Sequence, residues 1–519
     1  MPAADPPREP VTIPEPSGVL AERWSLGKLR RLAALFGPAA IVASVSIGAG
    51  ETIVVVKAGS WAQYNLLWIV LASTLVKGIC VTYLLGRYPA MSGEMIGARL
   101  ARLPGPRGWL LLAIIVLELA AAGPLWAAIA RPSGDLIYHV LDLAARSRGE
   151  MGDAPLPDAA ATSFAELTGI SAATWHSFFA SAFIVAALAM SARTSFAFLE
   201  RQQVIICGIL VAGTIVGTWM VRPDVWAALI GCLSIGRAPD VPPWAPPDVQ
   251  QQPLLTMTTT FGYVGGSVMC YIAYASWICR HHWGMFSHPQ IEAIRKRAAA
   301  GSPRDYLPDD PREVAKLRRL AAPLRWDVAL GAVVLFVVSA SFMLAGAAVL
   351  FPRLASGELP SIFAGWNLLT EQAQIWQQIH PALVWVYYVC VVAALWGTLQ
   401  AYPEIYACVT HEFLAAIWPE RAISFRRVQL SIVAYVCVVA VPLVWADVNF
   451  ATMTNIVSFL ATTVGVALAM LAALYLNFQL PPLYRTRRWM LLAGVASAAI
   501  LVAVSVISGW ELVRSFVNG

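Results

Sequence analysis

A long apolar stretch from Phe36 to Ser60 is interrupted in its middle by a carboxylate that follows two glycines, in the segment Gly48 to Glu51. A carboxylate in the hydrocarbon of a membrane is costly and is tolerated mainly beside a partner, a cavity or an ion. Glycines weaken a helix and let its backbone open. An opened membrane helix exposes carbonyls to a cation and directs half-helix dipoles at the gap. The pattern therefore predicts either a substrate site inside a transporter or a kinked helix with a buried, protonated or paired glutamate.

The rest of the chain has the composition of a polytopic, all-α membrane protein. Of its 519 residues, 58% are hydrophobic and 13% are charged, whereas a soluble domain carries about 25% charged residues. No C-x-x-C spacing occurs among the eight cysteines, so disulfides or a thiolate metal cluster are not expected. The apolar runs predict about eleven spans, each long enough to cross ~30 Å of hydrocarbon. Their predicted cores are 34–59, 66–86, 108–130, 174–192, 203–221, 255–278, 328–350, 382–410, 428–446, 450–476 and 489–509.

Charge alternates between successive loops and predicts the orientation of the chain. Basic residues cluster in every second loop, the longest of which runs from Arg280 to Arg325, and the loops between them, such as 131–172, are acidic or carry little charge. By the positive-inside rule the N-terminus is cytoplasmic and the C-terminus external. We expect an integral protein, of a bacterial inner membrane, without a cleavable signal. Its predicted parts are a disordered cytoplasmic tail (1–32), a ten-helix transporter core (33–480) and an additional C-terminal membrane helix (481–519).

The sixth span contains a second glycine-rich interruption. Three glycines lie between Gly262 and Gly266, and Met269 follows them. Glycine-interrupted spans at corresponding positions in two halves of a chain indicate an inverted-repeat transporter and its substrate site. The helices are therefore predicted to unwind near residues 48–51 and 262–267. The thioether of Met269 suits transition-metal ions, although methionine is also a common filler of apolar cores.

At these two spans the sequence resembles the Nramp family of divalent-metal transporters. The first helix of that family reads like "GP…DPGN…AG", and here Gly37-Pro38 lead through Gly48 to Glu51 and on to Ala58-Gly59. The family's sixth helix carries "MPH" after a run of small residues, and here the segment Gly265 to Tyr271 ends in Met-Cys-Tyr. The resemblance covers roughly residues 33 to 480, with spacing kept better than identity. It implies a LeuT-like fold of five plus five inverted helices in which helices 1 and 6 are discontinuous.

The resemblance also implies a metal site in which several ligands have changed. The family's metal-binding Asp falls at Gly48 and its Asn at Glu51, so a carboxylate is kept, three residues along the opened segment. The metal-binding Met is kept as Met269, the small residue that donates a carbonyl falls at Gly266, and the Gln of helix 10 falls at Phe459. The expected neighbours of the site are Ser46, Cys270, Tyr271 and Tyr274.

Two further intramembrane charges bear on proton coupling. Lys77 and Glu118 each lie about ten residues from the cytoplasmic end of their spans, which puts both about 15 Å deep. Opposite charges at equal depth predict a buried ion pair, with a proton route as one alternative and a pair between Lys77 and Glu51 as another. Glu118 matches an acidic position of the family's proton route, but the two later acidic positions fall at Leu125 and Ala128. Transport without proton coupling is therefore expected.

The expected function is transport of a divalent metal cation, of the manganese or iron type or magnesium, by alternating access. One carboxylate, one thioether and backbone carbonyls form a thin ligand set, because hard ions take six or more oxygens. The rings of Tyr271 and Tyr274 would suit an organic cation, so the alternative is a carrier of an organic cation, an amino acid-like solute or a monovalent ion on the same fold. An enzyme, a cofactor and a nucleic-acid partner are not expected. The expected partners are the metal ion as substrate and the lipid bilayer, and the oligomeric state is left open.

Overall fold

The computed structural model describes residues 10–20, 22, 25–33, 36–48, 50–150, 163–299, 306–358, 368–446 and 448–518. Within these ranges every regular element is a helix. Nine described helical segments are long and apolar enough to cross a membrane, and large apolar side chains such as Trp219, Val438 and Leu492 are exposed on their outer surfaces. The prediction of an all-α integral membrane protein is confirmed. The count of eleven spans stays a prediction, because the two interrupted helices are not among the nine.

We number the helices that build the membrane bundle in chain order. They are α1 (Pro38–Ser46), α2 (Val56–Ala62), α3 (Leu67–Ser92), α4 (Trp109–Glu150), α5 (Ala172–Ser191), α6 (Phe196–Val221), α7 (Pro253–Tyr263), α8 (Val268–Arg280), α9 (Ala322–Ala345), α10 (Pro381–Ile417), α11 (Phe425–Trp445), α12 (Phe450–Phe478) and α13 (Arg488–Asn518).

The first interrupted helix consists of α1, a break and α2. The N-terminus of α1 is capped by a residue of α9. The buried carboxylate of Asp327 accepts hydrogen bonds from the N–H groups of Gly37 (3.0 Å) and Ala39 (2.9 Å). After α1 ends at Ser46, the chain turns and resumes as a π-helical segment, Gly50–Val55, that leads into α2. The interruption predicted near residues 48–51 is confirmed.

The second interrupted helix consists of α7 and α8. Residues 264–267 between them are not helical, and Gly265 has φ +102°, a conformation that glycine adopts without the strain of a side chain. The interruption predicted near residues 262–267 is confirmed, with Gly262 and Tyr263 still in the last turn of α7. Two discontinuous helices therefore stand where the sequence placed them.

The loop predicted at 131–172 is wrong in its first part, because α4 continues to Glu150. Polar residues suggested that the helix ended, but neighbouring helices satisfy them. Arg131 donates to the Ser177 hydroxyl (2.7 Å) and to the Val444 carbonyl (2.6 Å), and Asp135 lies 2.8 Å from the His176 ring nitrogen. Residues 151–162 of that loop lie outside the described residues.

The predicted N-terminal tail is docked where the structure describes it. The Val11 N–H donates to the Tyr306 carbonyl (2.9 Å), the Ile13 N–H donates to the Glu313 carboxylate (2.6 Å), and the Ile13 side chain is buried. The prediction of a disordered tail is therefore wrong for these residues. The C-terminal α13 packs on the core, since a Cβ at Gly494 would meet Leu84 of α3 and Met470 of α12.

Candidate functional site

The two helix breaks meet at the centre of the bundle. A Cβ added to Gly266 would lie 3.2 Å from Ser46 Oγ, and one added to Gly50 would lie 2.9 Å from the Tyr263 carbonyl oxygen. Contacts this short between the two breaks leave no room for a side chain, so glycine is what lets these backbones approach. The glycines that pointed to a site in the sequence thus bring both breaks to one place.

A small cavity of about 20 Å³ lies between the breaks. A cavity needs roughly 10–15 Å³ to hold one water molecule, so this one has room for a water or for a single bare ion. Helices α1, α4, α10 and α12 and both breaks contribute to its wall. The described polar side chains of that wall are all hydroxyls, from Ser46, Tyr263, Ser267, Thr398, Tyr402 and Thr462.

Three of these hydroxyls already use their protons within their own helices. Ser46 donates to the Val42 carbonyl at 2.6 Å. Thr398 donates to the Ala394 carbonyl at 3.0 Å, and Thr462 donates to the carbonyl of Ser458, also at 3.0 Å. A hydroxyl has one proton and two acceptor lone pairs. With the proton engaged, each of these oxygens can offer only lone pairs to an occupant of the cavity, which suits a cation.

Glu118 lies beside the cavity wall and is completely buried. The nearest polar groups are the side chains of Ser267 and Tyr406 and the amide of Met269, but neither carboxyl oxygen has a partner in hydrogen-bonding geometry. A buried carboxyl group without a partner is exceptional and is associated with function in membrane proteins. Because Ser267 also lines the cavity, the structure brings Glu118 to the site.

The predicted ion pair between Lys77 and Glu118 is wrong, because their side chains face different helices. The Lys77 ammonium donates to the carbonyls of Phe261 (2.8 Å) and Gly262 (2.7 Å), at the C-terminal end of α7. One turn earlier on α3, Ser73 donates to the carbonyls of Phe261 (3.0 Å) and Val264 (2.6 Å). Helix carbonyls at a C-terminus lack intrahelical partners and favour a positive charge. The two α3 side chains therefore cap α7 where it breaks off.

Three predicted neighbours of the site take positions in or behind α8. Cys270 is fully buried in its first turn, together with Met269, and neither lines the cavity. The Tyr271 hydroxyl accepts the Gly266 N–H at 2.9 Å and so holds the break open. Tyr274 lies next to Asp327, on the side of α8 that faces the start of α1. The prediction of Tyr274 as a site neighbour is not supported by this placement.

Of the predicted metal residues, Gly48 precedes the π-helical segment Gly50–Val55, and Glu51 lies within it. A Cβ at Gly48 would lie 2.6 Å from Thr398 Oγ1, so this glycine allows α1 to approach α10. The Gly48 carbonyl accepts the Thr52 N–H (3.3 Å) and the Thr52 hydroxyl (2.8 Å). The side chain of Glu51 lies outside the described residues, and its assignment as a ligand stays a prediction.

Sequence reasoning missed the polar residues of α10 and α12. Thr398, Tyr402 and Tyr406 recur every four residues and so share one face of α10, which is a signal that the sequence carries. In α12 the predicted equivalent of the family's Gln, Phe459, instead packs against Gly509 of α13, where an added Cβ would lie 2.8 Å from its ring. Thr462, one turn away, lines the cavity, and Ser458 and Thr462 are the α12 side chains that an added Cβ at Gly262 would meet.

A second, larger cavity of about 550 Å³ lies further along the same helices. Its wall includes Ser276 and Cys279 of α8 and Cys408 and Glu412 of α10. Thr398 and Cys408 are ten residues apart on α10, which is about 15 Å. The site thus has a candidate vestibule on one side, and between the two cavities lie the Tyr402 and Tyr406 rings, whose centroids are 5.2 Å apart.

These features describe a polytopic membrane protein with a central site between two interrupted helices, an arrangement typical of transporters. The chain belongs to the Nramp family, since the profile of natural resistance-associated macrophage protein-like sequences matches residues 39–511. No curated protein sequence matches this chain. Among the described residues, no group of three or more His, Cys, Asp or Glu side chains is placed to hold a metal ion.

Solved structures show the same fold. The manganese transporter of Eremococcus coleocola, in complex with an aromatic bis-isothiourea substituted compound, is 14% identical, with a TM-score of 0.60 over 95% of this chain and 90% of that one. A glutamate-to-glutamine mutant of the same transporter gives a TM-score of 0.61 at 14% identity over 98% of this chain and 91% of that one. At this level of identity the likeness establishes the fold alone.

Proposed function

We propose that this chain transports a divalent metal cation by alternating access, with the cation held between the two helix breaks. The observation that carries the proposal is the cavity wall, in which the protons of Ser46, Thr398 and Thr462 are engaged, so that these three oxygens offer only lone pairs. Membership of the Nramp family and the likeness to a manganese transporter support the same substrate class. A bare metal ion fits a cavity of about 20 Å³, and an organic cation does not.

The proposed ligand set combines the described hydroxyls with residues of the two breaks. Glu51 supplies the negative charge, and Gly266 supplies a backbone carbonyl. Gly48 contributes a carbonyl only after its two hydrogen bonds from Thr52 are released, because a carbonyl oxygen has two lone pairs. Met269 is assigned by resemblance alone, since its side chain does not line the cavity in this conformation. Oxygen donors favour hard ions, so we propose magnesium or manganese as the substrate.

Competition for uptake tests this selectivity. In proteoliposomes that take up Mn²⁺, we expect Mg²⁺ to compete within about tenfold of unlabelled Mn²⁺, because oxygen ligands discriminate weakly between hard divalent ions. Choline and amino acids should not compete. Met269→Ala should leave the ratio of Mg²⁺ to Cd²⁺ competition unchanged, as should Met470→Ala, a matched buried methionine outside the cavity.

Two results would change the assignment. A loss of Cd²⁺ preference in Met269→Ala, with Met470→Ala unaffected, would show that the thioether is a ligand and that the substrate is a softer ion. Competition by choline or an amino acid, with none by a divalent ion, would replace the metal by an organic solute.

We also propose that transport is not coupled to protons. The pairing of Glu118 with Lys77 is absent and gives no support. The support is the composition of α4, which carries no titratable side chain between Glu118 and Arg131, a distance of about 20 Å along the helix. Leu125 and Ala128, at the positions of the family's later acids, are both buried. A proton on Glu118 therefore finds no second titratable side chain on this helix before Arg131 to which it could pass.

The uncoupled mechanism predicts no proton movement with the substrate. The membrane potential alone provides roughly 4–5 kcal/mol for a divalent cation at 100 mV, from about 2.3 per charge. A pH-sensitive dye inside proteoliposomes, with the potential clamped, should therefore report no acidification during Mn²⁺ uptake. Acidification that follows the metal and disappears in Glu118→Gln would show a coupled mechanism that uses this one carboxyl group.

The proposed orientation places the N-terminus in the cytoplasm of a bacterial cell and the C-terminus outside. It rests on the basic loops, which include the Arg-rich segments before α9 and α13. In this orientation the cavity of about 550 Å³ opens to the cytoplasm, because its wall contains Arg102, Arg107, Arg280 and Arg295.

A further inference from the structure

A third cavity, of about 770 Å³, lies between the ends of α3, α9 and α13, away from the proposed metal site. Its described lining contains no carboxylate. Seven of its fifteen described lining residues are arginines, namely Arg87, Arg318, Arg319, Arg325, Arg485, Arg487 and Arg488. We call this cavity the Arg-lined cavity. An assembly of seven positive charges repels itself unless an anion neutralises it.

No described acidic residue forms a salt bridge with the arginines of the Arg-lined cavity. Other arginines of the chain, such as Arg99 and Arg280, have such a partner. Three of the seven donate to backbone carbonyls: Arg87 to Tyr484 at 2.7 Å, Arg318 to Leu483 at 2.7 Å, and Arg485 to Leu480 at 2.9 Å. These contacts use donors but leave the charge in place.

Arg87 distinguishes the Arg-lined cavity from an ordinary basic loop in water, because it is buried. Its residue is only 4% exposed. One guanidinium nitrogen, Nη2, donates to the Tyr484 carbonyl at 2.7 Å, and Nε is buried without a hydrogen-bond partner. A buried guanidinium with an unused donor is costly unless an anion completes it. Topology signals alone require positive charge in a loop, but they do not require a buried arginine at the back of a cavity.

The surroundings of the Arg-lined cavity continue into the lipid-facing surface. Ile79, Ala329 and Trp489 line it on α3, α9 and α13, and the Trp489 ring is at the position where an interfacial tryptophan is expected. One turn deeper on the same helices, the apolar side chains Leu75, Val333 and Leu492 are exposed, by 46%, 59% and 70%. An occupant can thus place a phosphate among the arginines and hydrocarbon along these three side chains.

We propose that the Arg-lined cavity binds the phosphate headgroup of an anionic phospholipid, whose acyl chains lie against α3, α9 and α13. Guanidinium groups recognise phosphate through paired, charge-assisted hydrogen bonds. Basic pockets between membrane helices bind anionic headgroups by the same chemistry. The bound lipid connects the C-terminal helix α13 to α3 and α9. Its binding does not depend on which ion is transported.

The test uses the purified full-length protein after removal of lipid. Phosphatidylglycerol should raise the melting temperature in a saturable manner, and phosphatidylcholine, inorganic phosphate and glycerol phosphate should not. The triple variant Arg485→Gln/Arg487→Gln/Arg488→Gln should weaken the apparent phosphatidylglycerol affinity roughly a hundredfold, because each arginine near an anionic headgroup contributes about a factor of five. The control Arg193→Gln/Arg201→Gln/Arg427→Gln removes the same charge at exposed positions outside the cavity and should bind like the unmodified protein.

A second variant keeps the proposal testable if the triple variant does not fold. Arg487→Glu reverses one exposed charge at the rim and should weaken the response to phosphatidylglycerol by at least about tenfold. An equal response to inorganic phosphate at the same concentration would replace the lipid by a free anion. Equal responses to phosphatidylglycerol and phosphatidylcholine, or equal weakening in the cavity and control variants, would overturn the proposal.

Discussion

Glu51→Gln is expected to abolish metal uptake while leaving expression and folding intact. The described wall of the central cavity supplies neutral hydroxyls, and Glu51 is the only carboxylate in the two interrupted segments. Even residues that only support metal ligands typically change affinity by 10–100-fold, so we expect the loss of the charged ligand to reduce Mn²⁺ uptake at least about a hundredfold. The glutamine keeps the size of the side chain and removes only the charge.

The measurement is Mn²⁺ uptake into proteoliposomes, beside direct metal binding by isothermal titration. Glu511→Gln is the matched control, because Glu511 is a shielded carboxylate of α13 that pairs with Arg514 (3.3 Å) and belongs to neither interrupted helix. Unchanged uptake in Glu51→Gln would place the charged ligand elsewhere. A loss in Glu118→Gln in that case would identify the buried carboxyl group beside Ser267 as the ligand.

The helix breaks could be predicted because their cause is local. Gly50, Gly265 and Gly266 are required by close approach or by backbone conformation, and glycine in an apolar span is visible in the sequence. The same logic did not reveal the hydroxyls that form the cavity wall. Serine and threonine are common in membrane helices, where they bond to the preceding turn, so Ser46 and Thr462 become informative only once the structure shows what they surround.

The prediction of an ion pair between Lys77 and Glu118 was wrong for a geometric reason. Counting residues along a span gives the depth of a side chain but not the direction in which the helix turns it. Lys77 shares a face of α3 with Ser73, four residues earlier, and that face meets α7. Glu118 faces α8 and α10 from α4. A polar residue one turn from Lys77 was the available signal that this face of α3 serves a polar function of its own.

The loop predicted at 131–172 was also wrong in its first part, because polar residues there have partners in other helices. Arg131 and Asp135 lower the hydropathy of α4, yet both are bonded or shielded by α5 and α11. Hydropathy measures the residue and not its partner, so a long helix with paired charges looks in the sequence like a helix followed by a loop.

Lys77→Met is expected to destabilise the protein and to abolish transport, because Lys77 holds the C-terminal end of α7 at the break. The ammonium serves the carbonyls of Phe261 and Gly262 in a fully buried position. Each carbonyl left without a partner costs about 1–3 kcal/mol, and the favourable charge at the helix C-terminus is lost as well. We expect a fall of several degrees in the melting temperature, with Mn²⁺ uptake reduced at least about tenfold, since a displaced break also displaces the cavity wall.

Lys57→Met is the matched control, since Lys57 is a buried lysine of α2 and pairs with Asp248, whose side chain is 37% exposed and can turn to water. A much smaller fall in melting temperature is expected for it. A melting temperature of Lys77→Met equal to that of the unmodified protein would show that water replaces the ammonium and that α7 does not need this cap.

A double-mutant cycle then tests whether Lys77 caps the C-terminal end of α7 or pairs with Glu118. If Lys77 paired with Glu118, removing both would cost much less than the sum of the two single changes, because each single change leaves one buried charge unpaired. In the structure Lys77 donates to carbonyls of α7, whereas Glu118 faces α8 and α10, and changes at sites that do not contact each other usually add within about 0.5 kcal/mol. We therefore expect the stabilities of Lys77→Met, Glu118→Gln and the double variant to be additive. A coupling energy above about 1 kcal/mol would restore the ion pair, and a Glu118 that Lys77 keeps ionised could not carry protons.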